Sequence, residues 1–320
     1  MEVISRGITL NDHFDKYLDE RRHSLGWRSV IKYRKDLDRF LELTSKRYAN
    51  QITREDIIAH VNKLRDGGMS EQTAKTDAGV VLSAIRAAGV EIKMKKGDWP
   101  KVVKHEVEVF TMEDLKSIFD AADDYEYAVY QTLLKTGFRE QEGMHLAWPD
   151  VNWKRGTISI TAKPEFKFRP KNSHERAVPV PTSLLDLLEN RRSKVKASSH
   201  LVFHSKVISN KSKMIGGGPD RRLLELLKKV AYKAGLNCGR CRGSFQGQPA
   251  SCADAPVCGY WFLHKFRATF ITEMLRSGVD IRTVQALAGH ETIQSTVKYL
   301  RPLEGARLTA LVNQSTLANI

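Results

Sequence analysis

The chain has 320 residues, more than one small hydrophobic core needs, and this length is typical of two compact domains. It carries 52 Lys and Arg against 37 Asp and Glu, a formal net charge of +15, which indicates a polyanionic partner such as nucleic acid. It lacks the basic amphipathic helix or long apolar run of a membrane protein, and residues 1–10 do not resemble a secretory signal. We therefore expect a cytoplasmic protein.

Residues 1–90 show the apolar spacing of four amphipathic helices. Thr53 with Asp56, and Ser70, are typical helix-capping residues, and Gly89 is a typical helix end. Basic side chains crowd the second helix, and we expect phosphate contacts from Arg28, Lys32, Arg34 and Lys35. For any one of them, a solvated helix face is an equally good explanation.

Between residues 91 and 109 the helical periodicity fails, and the composition turns to lysine, glycine and proline. This change predicts a basic interdomain linker. If the two domains lie on opposite sides of a duplex, the linker lysines would follow the phosphates, and Lys101 and Lys104 are the candidates for these contacts.

Residues 110–320 predict a second domain, which begins with a helix capped by Thr111 and Asp114. A further helix stops at Gly137, and Arg139 follows almost at once. Two β-branched runs, 157–161 and 176–180, predict a hairpin. The remaining segments predict helices, at about 182–196, 220–235, 264–277, 280–288 and 292–300. The expected fold class is mainly α with a small β-hairpin or sheet, an α+β chain.

All four cysteines lie in a glycine- and glutamine-rich insertion at about residues 236–260. In a reducing compartment such a cluster favours metal binding over disulfides, and four thiolates suit tetrahedral zinc. The first pair has the spacing of a zinc knuckle, whereas the second pair is wider. We predict a structural zinc site at Cys238, Cys241, Cys252 and Cys258, and the alternative is four reduced thiols in a loop.

Several polar residues of the second domain occur in an informative order. His264 and Arg267 lie three apart and share a helix face, so both could serve one anion. His290 follows a helix that Gly289 ends, and Tyr299 comes nine residues later. Each feature alone is weak, because a His-x-x-Arg pair is usually a surface pair and a lone tyrosine is usually a core residue. Their joint order, after an arginine at a Gly-Phe break and a lysine on a hairpin, is the stronger signal.

The segment HKFRATFITEMLRSGVDIRTVQALAGHETIQSTVKYLRP closely resembles the C-terminal signature of the tyrosine recombinase, or phage integrase, family. The segment TGFREQEGMHLAWPDV resembles the first motif of that family, and the N-terminal region resembles its SAM-like, four-helix core-binding domain. The resemblance implies a catalytic domain in which Tyr299 is the nucleophile. It implies four further catalytic residues: Arg139, His264, Arg267 and His290.

The family also places a catalytic lysine on the hairpin, and three lysines compete for that position: Lys163, Lys167 and Lys171. Lys171 is preferred because the run KNSHERAVP matches the family pattern before the returning strand. Lys163 matches the family only by its spacing from Arg139. The hairpin of this chain is also longer than the short hairpin found in the family.

The chemistry supports the resemblance independently. Phosphoryl transfer builds charge on the non-bridging oxygens, and two guanidiniums can stabilise it bidentately. A tyrosine needs help to lose its proton, and His264 is the candidate base, while Lys171 would protonate the departing 5′ oxygen. The 3′-phosphotyrosyl bond conserves energy, so the expected reaction requires neither ATP nor metal. Glu142 is expected to orient Arg139 or another basic group, or to be an ordinary helix-face carboxylate.

The resemblance implies a site-specific recombinase or integrase that acts on double-stranded DNA, in the nucleoid, as a homotetramer on paired sites. One alternative is DNA relaxation of the type IB topoisomerase kind, with the same residues in a monomer. Another is a DNA-binding protein without catalysis. The residues after 302 are mildly amphipathic, and they would dock on a neighbouring protomer or fold back on their own domain.

Overall fold

The computed structural model describes residues 7–103, 106–171, 174–194, 200–205, 218–300 and 313. The chain divides into two compact units, Met1–His105 and Glu106–Ile320. Lys104 lies outside the described residues, and so does the predicted amphipathic tail after residue 302, apart from residue 313. Among the described helices, none combines the length and the apolar character that a bilayer crossing needs.

The first unit contains four helices: α1 (Leu10–Arg21), α2 (Trp27–Leu43), α3 (Arg54–Asp66) and α4 (Glu71–Ala87). The caps predicted for the last two helices are confirmed, because Thr53 accepts the backbone N–H of Asp56 and Ser70 accepts that of Thr73. Apolar side chains from all four helices form one core, which includes Phe14, Leu37, Ile57 and Val81. The predicted four-helix domain is confirmed.

Much of the segment predicted as a linker packs on this first unit. Ile92 is buried in its core, and Met94 and Trp99 pack against it. Arg54 at the start of α3 forms an ion pair with Asp98, through Nε–Oδ2 at 2.8 Å. These apolar residues have no helical spacing, so a search for periodicity could not find their role.

The second unit begins with α5 (Met112–Ala121), α6 (Asp124–Thr136) and the short α7 (Glu140–Met144). A three-stranded antiparallel sheet follows, in the order β1 (Val151–Asn152), β2 (Thr157–Ile160) and β3 (Arg176–Pro179). The predicted hairpin is confirmed, with Ile158 opposite Val178. Strand β1 is an addition that the sequence did not predict.

Five helices complete the second unit as described: α8 (Thr182–Lys194), α9 (Leu223–Lys233), α10 (His264–Arg276), α11 (Ile281–Ala288) and α12 (Gln294–Val297). Between α9 and α10 the insertion forms a hairpin of β4 (Arg242–Phe245) and β5 (Gln248–Ser251). Cys252 and Cys258 are fully buried in the same core as Phe266 of α10. The insertion is therefore built into the second unit.

Candidate active site

Arg139 stands at the start of α7, just after a turn that requires glycine. Gly137 has a left-handed backbone with φ of 63°, and a Cβ on it would lie 2.3 Å from the ring of Phe270. The Arg139 side chain donates from Nη1 to Glu142 at 2.8 Å and from Nη2 to the Gly289 carbonyl at 2.8 Å. The guanidinium is therefore held on two sides before any substrate arrives.

Glu142 is the buried anion of the site, with 2% of its side chain exposed. It accepts the backbone N–H and the Nη1 of Arg139, and it also accepts both terminal nitrogens of Arg176, at 3.1 and 2.8 Å. Although burial opposes ionisation, these arginines hold the pKa of Glu142 below its usual range. The orienting role predicted for Glu142 agrees with these contacts.

Arg267 on α10 is fully buried, whereas His264, one turn earlier, is exposed. Arg267 donates to the carbonyls of Gly137 and Ala288, and its Nε has no partner among the described residues. Burial, and after it the charge of Arg139, lowers the pKa of Arg267 to about 9, so the side chain remains cationic at pH 7. A buried cation with spare donors suits an incoming anion.

His290 and Tyr299 lie together beyond the end of α11. Gly289 ends the helix with φ of 63°, as predicted, and His290 Nδ1 lies 2.9 Å from the Thr296 hydroxyl. The Tyr299 ring stacks on His290, with a centroid distance of 5.9 Å and an interplanar angle of 15°. Tyr299 is 2% exposed, and it is close enough to Arg267 and Arg139 for their charges to stabilise its phenolate.

The electrostatics of the site favour neutral histidines. His264 keeps exposed surface, but the protein packed around the rest of its ring still desolvates it, and this effect, followed by the charges of Arg267, Lys298 and Arg139, lowers its pKa to about 4. Desolvation and the same cations lower the pKa of His290 to about 3. Burial raises the pKa of Tyr299, and the two arginines oppose that effect only in part. His264 is unprotonated at pH 7 and can accept a proton, but its lowered pKa makes it a weaker base than an ordinary imidazole. The charges of Arg267 and Arg139 therefore contribute to stabilising the Tyr299 phenolate.

We expect the rings of His264 and His290 to stay neutral down to about pH 5, as followed by NMR with His264→Gln and His290→Gln for assignment. Both folded pKa values lie below the value near 6.5 of the unfolded chain. The two neutral histidines therefore contribute their full share of the free energy of unfolding above about pH 6.5. This contribution is lost as the pH falls from about 6.5 towards the folded pKa values, about 4 for His264 and about 3 for His290. A ring that titrated near 6.5 would contradict this electrostatic picture.

A cleft of about 500 Å³ opens beside these groups and is rich in basic side chains. Its lining includes Arg139, Lys171, His174, Arg176, Arg282 and His290. Lys171 is exposed at this cleft, whereas Lys163 is buried and pairs with Asp150 at 3.0 Å. The structure thus brings Lys171, Arg139 and His290 to one opening, and it gives Lys163 an internal partner.

The residues expected to contact DNA in the first unit differ in availability. Arg28 and Lys35 are exposed, whereas Lys32 pairs with the buried Asp36 and Arg34 pairs with Asp15 and Asp38. Lys101 is exposed, and Lys104 lies outside the described residues. The exposed side chains of Arg28, Lys35 and Lys101 are therefore the most accessible to phosphates. DNA contact by each of the six basic residues stays a prediction.

The four cysteine sulfurs converge at one point. Three of their separations are 3.2, 3.6 and 3.7 Å, and all four lie within 4.8 Å of one another. A tetrahedral zinc with Zn–S bonds of about 2.3 Å places its sulfurs roughly 3.8 Å apart. The cluster therefore has the dimensions of a four-thiolate metal site.

Arg176 is the main residue of the site that the sequence did not single out. It opens strand β3, pairs with Glu142 and donates from Nε to the Leu287 carbonyl at 2.9 Å. A basic residue at the start of a returning strand is an unremarkable pattern, so only the three-dimensional structure reveals these partners.

Models of two known protein domains match most of the chain. The model of the phage integrase family matches residues 108–305, and that of the phage integrase N-terminal SAM-like domain matches residues 12–87. Tyrosine recombinase XerA of Pyrococcus horikoshii is 26% identical over 250 residues, which cover 78% of this chain and 76% of that protein.

Two solved structures share the fold. The Tn1549 transposon integrase in complex with transposon right end DNA superposes with a TM-score of 0.70 at 16% identity, covering 97% of this chain and 100% of that chain. A lambda integrase tetramer bound to a Holliday junction gives 0.64 at 16% identity, covering 93% of this chain and 79% of that chain.

Proposed function

Because this chain belongs to the phage integrase family of tyrosine recombinases, we propose that it cuts and rejoins double-stranded DNA at specific sites through Tyr299. The observation that carries the proposal is the convergence of Arg139, Arg267 and His290 on the surroundings of the Tyr299 ring. Relaxation of the topoisomerase kind and binding without catalysis are not favoured by this family membership.

In the proposed reaction, Arg139 and Arg267 bind the non-bridging oxygens of the scissile phosphate, and His290 adds a hydrogen bond. His264 accepts the proton of Tyr299, whose oxygen attacks phosphorus. The bond to the 5′ oxygen breaks, and Lys171 donates a proton to that leaving group. Attack by another 5′ hydroxyl reverses these steps and releases Tyr299, so neither ATP nor a metal ion takes part.

The test is covalent capture on nicked suicide duplexes made from the DNA that flanks the gene. We expect a protein–DNA adduct that survives denaturation and carries the DNA on Tyr299, identified by peptide mapping. A supercoiled plasmid that lacks the site should not be relaxed. Adduct formation on every sequence, with plasmid relaxation, would instead support the topoisomerase alternative.

The general acid can be assigned with a sulfur substitution. A 5′-thiolate leaves without protonation, so a duplex with sulfur at the bridging 5′ position should restore cleavage by Lys171→Met. Lys163→Met should lose stability because Asp150 is left buried without its cation, and sulfur should not help it. Sulfur rescue of the Lys163 variant alone would move the role to Lys163.

We also propose that four protomers assemble on two paired sites. The fold is shared with the lambda integrase that forms a tetramer on a Holliday junction, and strand exchange between two duplexes requires four cuts. Mass photometry with one site and with a synthetic junction should show dimers and tetramers, respectively. Strand exchange by isolated monomers would overturn this assembly.

The cysteine cluster is proposed to hold one structural zinc ion. Cys252 and Cys258 are fully buried, and the backbone N–H of Cys252 bonds to the Cys241 carbonyl, so the sulfurs are presented by an ordered frame. Directly after the insertion, Trp261 donates from Nε1 to the Leu236 carbonyl, and α10 begins three residues later. Bound zinc would therefore stabilise the segment that leads into α10, the helix that carries His264 and Arg267.

We expect one zinc per chain by elemental analysis, and near zero for Cys252→Ser. Loss of the metal should destabilise the second unit by several kcal/mol, because metal affinity adds to folding free energy. Ser244→Ala, in strand β4 of the same insertion, is the matched control and should keep both metal and stability. Metal-free wild-type protein with unchanged thermal unfolding would contradict the proposal.

A further inference from the structure

Three arginines meet at the C-terminal end of α11. Arg176 donates to the carbonyl of Leu287, Arg267 to that of Ala288 and Arg139 to that of Gly289. The last carbonyls of a helix have no partner within the helix, and they carry the negative end of its dipole. Three consecutive carbonyls are thus satisfied by three guanidiniums from three separate parts of the chain.

Arg176 differs from the other two arginines in how fully it is engaged. Its side chain is 11% exposed, and it donates from Nε to Leu287 and from both terminal nitrogens to Glu142. Three of its five N–H donors are therefore used within the protein. Arg139 and Arg267 each retain more donors for a phosphate.

Arg176 also lies against Gly289, the residue directly before His290. A Cβ on Gly289 would be 2.8 Å from Nη1 and 2.9 Å from Cζ of Arg176. The absent side chain of Gly289 therefore leaves the space that the guanidinium fills. A shift of Arg176 would release the Leu287 carbonyl and one side of Glu142, and Glu142 holds Arg139.

We propose that Arg176 is a positioning residue for strand cleavage. It joins Glu142 to the C-terminal end of α11 and so holds Arg139 and His290 in position. This inference rests on the proposed function. Arg176 acts through its neighbours, and the phosphate contacts belong to Arg139 and Arg267. Its removal should therefore affect the rate of cleavage more than the affinity for DNA.

The experiment compares Arg176→Gln with Arg155→Gln, a control on an exposed arginine in the turn between β1 and β2. At saturating DNA, Arg176→Gln should slow single-turnover cleavage about 10²-fold, because small misplacements of catalytic groups have effects of that size. Its dissociation constant should stay within roughly threefold, and Arg176→Lys should recover part of the rate. Arg155→Gln should match wild type in both measurements.

A double-mutant cycle tests the route of the effect. If Arg176 acts through its ion pair with Glu142, the two substitutions remove the same interaction. The double variant Arg176→Gln/Glu142→Gln should then cleave little more slowly than the slower single variant. Fully additive losses would overturn the proposal. So would a large, salt-dependent loss of DNA affinity with an unchanged cleavage rate, because that result would make Arg176 a phosphate contact.

Hydrogen exchange on the DNA-free protein separates this inference from the proposed function. In Arg176→Gln, the amides of Gly289 and His290 should exchange about tenfold faster or more, whereas those of α6 should keep wild-type protection. Unchanged exchange at residues 287–290 would overturn the proposal. If wild-type protein captured no DNA, the proposed function would fail, and the exchange result would still decide the positioning role.

Discussion

Tyr299→Phe is expected to abolish covalent capture of DNA, with a loss of at least about 10⁴-fold in the cleavage rate. The variant removes only the hydroxyl that attacks phosphorus. The ring that stacks on His290 and fills its buried place remains, so folding should be preserved. The measurement is adduct formation on the nicked duplex over several hours, with DNA affinity measured in parallel.

Tyr127→Phe is the matched control, because Tyr127 lies on α6 with 37% of its surface exposed. It should form the adduct at the wild-type rate. An adduct with Tyr299→Phe would mean that another residue is the nucleophile, and peptide mapping would identify it. Equal recombination by the two variants would remove the basis of the proposed mechanism.

Arg267→Lys is the second variant for which we expect a severe defect. A lysine cannot span the carbonyls of Gly137 and Ala288, and it offers no planar fork to a phosphate. Cleavage should fall by about 10³-fold or more, the size of effect known for arginines that stabilise phosphoryl transfer. Each buried carbonyl left without a partner should also reduce stability by about 1–3 kcal/mol.

Single-turnover cleavage and urea unfolding measure the two effects separately. Arg276→Lys provides the control on the same helix, because Arg276 is exposed and pairs with Glu273 one turn earlier. It should retain wild-type rate and stability. A cleavage rate within tenfold of wild type for Arg267→Lys would show that a point charge is sufficient, which the proposed bidentate role excludes.

Local signals explain why much of the fold could be predicted from the sequence. Thr53, Ser70 and Thr111 cap helices as expected, and Gly137 and Gly289 end them in the left-handed conformation. These features depend on residues within one helical turn. The insertion hairpin escaped prediction because its strands, RGSF and QPAS, show no alternation of apolar and polar residues.

The candidate site was predicted less completely, because its geometry depends on distant contacts. The spacing of His264 and Arg267 indicates a shared helix face, but packing of α10 decides that Arg267 is buried and His264 is exposed. No local pattern joins Arg176 to a helix end 111 residues later. The choice among the hairpin lysines likewise depends on the path of the long connection between β2 and β3. The role of Lys171 therefore stays a prediction.

The bonds that join Gly137 to Arg267 and Arg139 to Gly289 connect positions 130 and 150 residues apart. During synthesis, a ribosome therefore delivers the first arginine long before the carbonyl that restrains it, and Tyr299 emerges later still. On the proposed mechanism, a nascent fragment that ends before Tyr299 lacks the nucleophile. The proposed activity therefore arises only after translation has passed Tyr299.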